Sequence, residues 1–281
     1  MVAPIRRALG DCEAQLWLTA PRWAGRPTAA VGRIVGEDAQ ALAALLNDLA
    51  QESAAEGAEW LLGPLDGDTW HSYRLAIGGT GRPTFALEPP SAPAIETALA
   101  VAGFAPVLFY ESRYAPLPDR RIPRLGSHRL TVRPFDPSAA EAELKTMHRL
   151  ALAAFDRTPL FTPIDFEAFA ALYRPVLPRV APELILFVED EAGTPAGFLF
   201  GLPDWAEGAH PGTAILKTYA ATQPGAGALL ASAFHDSARR LGFEGVIHAL
   251  MQADNESLRH SRLLGGVSFR RYALFARRLA S

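Results

Sequence analysis

The chain has 281 residues, 49% of them hydrophobic and 20% charged, with a net charge of −3. That length suits two domains or one long one, and the apolar fraction suffices for sizeable cores. The balance of charge excludes the basic surface of a nucleic-acid-binding protein, and the single cysteine, Cys12, excludes an intrachain disulfide or a cysteine-rich zinc site.

At the N-terminus, Met1-Val2-Ala3-Pro4-Ile5-Arg6-Arg7 is not followed by an apolar run, because Asp11, Glu13 and Gln15 interrupt it. No window approaches the ~20 apolar residues of a membrane span, so a soluble, cytoplasmic protein with no membrane partner is expected. A strand follows at 30–34 and a helix at 38–56, with Leu42, Leu45, Leu46 and Leu49 on one face and Gly57 closing it. Next comes a strand at 58–62. The polar and aromatic segment 63–74 admits two readings. In one, Asp68 or Thr69 caps a helix start, with Trp70 and Tyr73 packed into the core or the interface between lobes. In the other, the segment forms a wall of a substrate pocket. A short helix is expected at 95–103 and a strand at 107–114. Residues 115–126 then carry three prolines and four charges, which suit neither a helix interior nor a central strand. The expected division is therefore a first lobe at 1–115, a linker at 116–127 and a second lobe at 128–281.

In the second lobe, a strand at 130–134 precedes a helix from Asp136 to Phe155, with Leu144, Met147, Ala151 and Phe155 on one face. Runs at 184–189 and 196–202 form a hairpin across the turn-rich residues 190–195. Another strand occupies 213–220. After it, a helix at 228–241 carries Leu229, Leu230, Ala233, Phe234, Ser237 and Leu241 on one stripe and is closed by Gly242. A strand at 245–251, a short helix at 256–264 and a strand at 269–279 complete an α/β pattern. Leu45-Leu46 before Gly57 matches Leu229-Leu230 before Gly242, and a helix and a strand follow in both places. The first half therefore reads as a partial repeat of the second.

The most informative stretch is Thr222-Gln223-Pro224-Gly225-Ala226-Gly227-Ala228, between a strand end and a helix start. Glycines two apart let the backbone approach a ligand closely, and the first amides of the helix, with its dipole, suit a diphosphate. An ordinary glycine-containing turn is the other reading of these residues. A Walker-type loop is excluded by the missing Gly-Lys-Ser/Thr, and a dinucleotide fingerprint by the missing third glycine.

This stretch resembles the coenzyme A motif of the GNAT acyltransferase superfamily, Arg/Gln-x-x-Gly-x-Gly/Ala after the fourth strand. Gly225 and Gly227 match its glycine pair, Gln223 stands one position nearer than the motif expects, and Thr222 holds the strict Arg/Gln position. Downstream, Asn255 and Gly266 match Asn-x-x-Ala-x-x-x-Tyr-x-x-x-Gly-Phe, with Arg262 at the position of the tyrosine that often protonates the leaving thiolate. The resemblance implies two GNAT-like lobes, each a mixed, mostly antiparallel sheet flanked by helices, the first of them degenerate. There Val35-Gly36-Glu37-Asp38 has no glycine pair and its charges would repel a diphosphate.

The resemblance further implies an acyl-coenzyme A dependent N-acyltransferase, with acetyl-coenzyme A as cosubstrate, no metal, and a small-molecule or peptide amine attacking the thioester directly. The alternative is a non-catalytic ligand-sensing or partner-binding module of the same fold. Thr218, Tyr219, Ala220, Gln223, Gly225, Ala226, Gly227, Ala228, Leu229 and Asn255 are the expected cosubstrate-binding residues. His248 and Tyr219 are the candidate catalytic groups, and fused lobes imply a monomeric pseudo-dimer or a homodimer.

Overall fold

Asp38 caps the first long helix, α1 (Ala39–Ala55), by accepting the amides of Gln40 and Ala41 on its carboxylate. This comes from a computed structural model that describes residues 3–119, 122–126 and 128–280. Arg120, Arg121 and Ser127 of the expected linker lie outside the described residues, as do Met1, Val2 and Ser281. Three strands precede α1: β1 (Ile5–Leu9), β2 (Cys12–Trp17) and β3 (Thr28–Val35). After it come β4 (Trp60–Gly63), β5 (Leu75–Gly79), α2 (Pro93–Val101) and β6 (Ala105–Pro116). The second half runs β7 (Thr131–Pro134), α3 (Ala140–Phe155), α4 (Phe166–Tyr173), β8 (Ile185–Glu189), β9 (Pro195–Pro203) and β10 (Thr213–Ala221). It ends with α5 (Ala226–Arg240), β11 (Gly245–Gln252), α6 (Glu256–Leu263) and β12 (Val267–Arg278).

Four of these elements were not expected from the sequence: β1, β2, β5 and α4. In β2 the inward positions are Cys12, Ala14 and Leu16, too small a set for alternation to stand out beside Glu13 and Gln15. Residue 136 does not begin α3; Asp136 caps a 3₁₀ turn, Pro137–Ala139, and α3 starts at Ala140. Likewise α5 starts at Ala226, two residues before the expected position.

The twelve strands of the described residues join one sheet. The order along it is β1-β2-β3-β4-β12-β6-β11-β10-β9-β8-β7, with β5 also pairing β12. The pairs β3/β4 and β10/β11 are parallel and the others antiparallel. Each parallel pair is bridged by a helix, α1 in the first half and α5 in the second, as a parallel connection requires. The closing strands are exchanged: β6 pairs with β11 of the second half, β12 pairs with β4 of the first, and the two pair with each other at the centre.

Neighbouring residues of β9 show how the helices are layered. Phe200 packs edge-on against Tyr173 of α4, with ring centroids 4.9 Å apart. Gly201, facing the opposite way, receives the ring of Phe234 from α5 so closely that a Cβ there would lie 2.1 Å from it. The helices α4 and α5 therefore cover opposite faces of the sheet. No helix among the described residues is long and apolar enough to cross a membrane.

Candidate functional site

The parallel pair β10/β11 holds register only from Thr213/Gly245 to Leu216/His248. Beyond that the strands part, and a bulge in each explains why. On β10, Leu216 pairs with Gly201 and Thr218 with Phe200, so Lys217 is the extra residue. On β11, His248 and Met251 pair with Arg113 and Glu111, which places Ala249 and Leu250 opposite Ser112 alone; Leu250 has φ 57°. The Leu250 amide donates to Ser112 Oγ at 3.0 Å, and its carbonyl accepts from Arg74 Nη1 at 3.0 Å. A cavity of about 730 Å³ opens at the split, between Leu216–Tyr219 on one side and Ala249–Gln252 on the other.

The N-terminus of α5 stands beside the Tyr219 end of this opening. Gly225 takes the left-handed conformation, φ 81°, and ends the loop without a capping side chain. The Ala226 amide bonds the Gln223 carbonyl and the Leu229 amide bonds the Gly225 carbonyl. The amides of Gly227 and Ala228 have no acceptor among the described residues, and the first turn holds no acidic side chain. A Cβ on Gly227 would meet the Tyr219 ring at 3.2 Å and the His260 ring at 3.4 Å. These features fit an anion received on backbone amides. The equivalent end of α1 does not offer the same site, because Asp38 already occupies its amides.

The expected cosubstrate residues divide by position. Thr218, Tyr219 and Asn255 line the cavity, and Asn255 Oδ1 also caps α6 through the Ser257 amide. Gln223 and Gly225 are exposed in the loop, with Gln223 Nε2 3.5 Å from Asp190 Oδ2. Ala226 and Gly227 are buried and Ala228 half-buried at the helix start. The side chains of Ala220 and Leu229 point into the core, and the Leu229 amide is already engaged.

The two candidate catalytic residues fare differently. Tyr219 Oη lies 3.2 Å from His260 Nδ1, and burial pushes its phenol well above the usual tyrosine range, so it stays protonated. His248 is not among the residues that line the cavity. It is 2% exposed, with Nε2 2.6 Å from His235 Nε2 and Nδ1 2.6 Å from Ser261 Oγ. It ties β11 to α5 and α6, and burial depresses both imidazoles, His235 to about 4. Arg262 is exposed and lies outside the cavity lining.

Residues from the first half complete the cavity. Asp68 caps a turn rather than a helix: its Oδ1 accepts the Trp70 and His71 amides and lies 2.7 Å from His71 Nδ1. A carboxylate only accepts, so Nδ1 carries a proton, and in the neutral imidazole the lone pair is on Nε2; the His71 side chain is 42% exposed. Trp70 joins the halves, donating from Nε1 to the Thr162 carbonyl at 2.8 Å and packing on Phe169. Segment 63–74 thus supplies both an interface and a cavity wall. Arg74, Lys217 and His260 escaped the sequence reading, because strand periodicity marks neither a bulge nor a cross-lobe contact. Only Arg74 was hinted at, by the density of polar and aromatic groups in 63–74. Among the described residues no cluster of His, Cys, Asp and Glu is placed to hold a metal ion.

No family model matches the sequence, and no curated protein does. Solved structures do resemble it. A GCN5-related N-acetyltransferase from Sphaerobacter thermophilus superposes with a TM-score of 0.59 at 16% identity, over 96% of this chain and 78% of that one. A tandem GNAT protein from the clavulanic acid biosynthesis pathway superposes at 0.53 and 12%, over 96% and 79%. A protein of Enterococcus faecalis V583 described as a probable N-acyltransferase gives 0.55 and 9%, over 96% and 59%. Identities this low speak for the fold. It is that of the GCN5-related N-acetyltransferases in a tandem arrangement.

Proposed function

We propose that this protein is an acyl-coenzyme A dependent N-acyltransferase with one working site, in the second half, and acetyl-coenzyme A as its donor. The observation that carries this reading is the parting of β10 and β11 directly beside the uncapped N-terminus of α5. The amides of Gly227 and Ala228 receive the diphosphate. The edge of β10 from Thr218 to Ala220, unpaired with β11 beyond the split, receives the amide-bearing arm, and the thioester then faces the cavity. The acceptor amine attacks the thioester carbonyl; a C–N bond forms, the C–S bond breaks, and the amine proton must leave while the thiolate gains one. His71, oriented by Asp68, takes the amine proton on Nε2, and Tyr219, kept protonated by burial and held by His260, supplies the thiolate.

Release of free thiol from acetyl-coenzyme A across an amine panel tests this. Turnover is expected with at least one class of amine. His71→Gln and Tyr219→Phe should each lower it by about 10²-fold, the lower end of general acid–base contributions. Coenzyme A binding with no thiol released from any amine class favours the second reading, a non-catalytic ligand-sensing or partner-binding module. The exposed Arg262 at the expected tyrosine position is the observation on that side.

A further inference from the structure

Two cations face the cavity, and neither has an anionic partner among the described residues. Arg74 is 7% exposed, with its guanidinium 3.7 Å from the Tyr73 ring centroid and 4.2 Å from that of Tyr110. Among the described residues only its Nη1 finds an acceptor, the Leu250 carbonyl, and its Nε is buried with no hydrogen-bond partner. Lys217, the bulge residue of β10, lines the same cavity and takes part in no ion pair or hydrogen bond among the described residues. Burial, and then the charge of Arg74, push its ammonium down to about 8. The carboxylates that border the cavity are committed elsewhere. Asp66 accepts the Arg33 amide and lies 3.7 Å from the Arg33 guanidinium. Glu88 lies 3.2 Å from Arg270 Nε and accepts the Tyr272 hydroxyl.

A buried and a half-buried positive charge without a counter-ion among the described residues are costly, and such an arrangement suits a ligand that supplies the missing anion. Trp70, Phe155, Phe161, Tyr173 and Phe200 line the same cavity, with Leu172 and Val176 among its aliphatic lining. We infer that Arg74 and Lys217 bind a carboxylate of the acceptor, so that the amine acylated here belongs to an amino-acid-like molecule with an apolar or aromatic body. This rests on the proposed acyl transfer for the word acceptor; the carboxylate site itself rests on the two unpaired cations. A carboxylate rather than a phosphate is assigned here, because the phosphates of the proposed reaction belong to the coenzyme. The coenzyme's own phosphates have their place at the start of α5.

Calorimetric titration of the full chain, with and without coenzyme A, tests the inference on three matched sets. Phenylalanine, leucine and tryptophan are each compared with the decarboxylated amine and the carboxamide. The amino acids are expected to bind at least about tenfold more tightly than their partners, as a charge-assisted bond to a partly buried cation should give. Lys217→Gln should erase that preference and Lys217→Arg should retain it, both with coenzyme A affinity unchanged. Equal or tighter binding of the decarboxylated amines would overturn the inference, as would failure of the wild type to bind any of the amino acids. A parallel loss of coenzyme A affinity in Lys217→Gln would also overturn it, by assigning the cations to the coenzyme's phosphates. Loss of coenzyme A binding with the carboxylate preference intact would remove the proposed donor and leave this site standing.

Discussion

The chemistry of this site is set by which titratable groups reach the cavity. Tyr219 was legible in the sequence because it stands at the end of the strand that leads into the glycine loop. His248 was legible as a histidine in a strand, but its partners His235 and Ser261 come from two helices that no local pattern connects to it. Their burial makes a prediction. In the unfolded chain an imidazole takes up its proton below about pH 6.5, whereas folded His235 resists until about 4. Between these values the unfolded state binds more protons, so this contribution to stability is complete above pH 6.5 and is lost as pH falls toward 4. Urea midpoints should therefore drop from pH 7 to pH 4.5, and less steeply in His235→Asn; a flat wild-type profile would contradict the account. Lys217 predicts a trend at the other end of the scale. Its charge fades as pH rises through about 8, so carboxylate affinity measured in buffers from pH 7 to 9.5 should decline across that range.

Among the elements, helices and buried strands were the easiest to read. Four leucines at helical spacing marked α1, and its Asp38 cap sits where the sequence placed the start. The order strand, glycine loop, helix, strand was equally clear for β10, α5 and β11. The feature that makes a cavity of them was not. Bulges at Lys217 and Leu250 leave alternation nearly intact on either side, and the parting of the strands depends on partners in β9 and β6. The helix is locked to the sheet where Phe234 lies on Gly201. Phe234→Ala should cost about 3–5 kcal/mol, the range for deleting a buried aromatic ring, read as a fall in the urea midpoint. A change under 1 kcal/mol would mean that the α5 packing described here is wrong.

At the scale of the whole molecule, the partial repeat in the sequence corresponds to two halves that complete each other. Each long closing strand, β6 and β12, lies beside the other half's parallel pair, and the two meet at the centre of the sheet. Sequence spacing gave the repeat but not the exchange, since a strand's pattern reports what covers its faces and not which edge it joins. The exchange places segment 63–74 of the first half against the second half's opening, which is how His71 and Arg74 come to line one cavity with Lys217 and Tyr219. Residues 1–118 and 122–281 expressed separately should therefore each lack a native fold, and coexpression should restore it. Independent, monomeric folding of either piece by circular dichroism and light scattering would refute the exchange.

The central claim is that the start of α5, beside the opening between β10 and β11, is a coenzyme A site. Calorimetric binding of coenzyme A to the wild type and to Gly227→Asp tests it most directly. The account predicts saturable, one-to-one binding that the aspartate abolishes, since its side chain must displace the Tyr219 and His260 rings and sets a negative charge beside two free amides, while the urea midpoint confirms that the variant is folded. Undiminished binding by a folded Gly227→Asp, or no binding by the wild type, would contradict it.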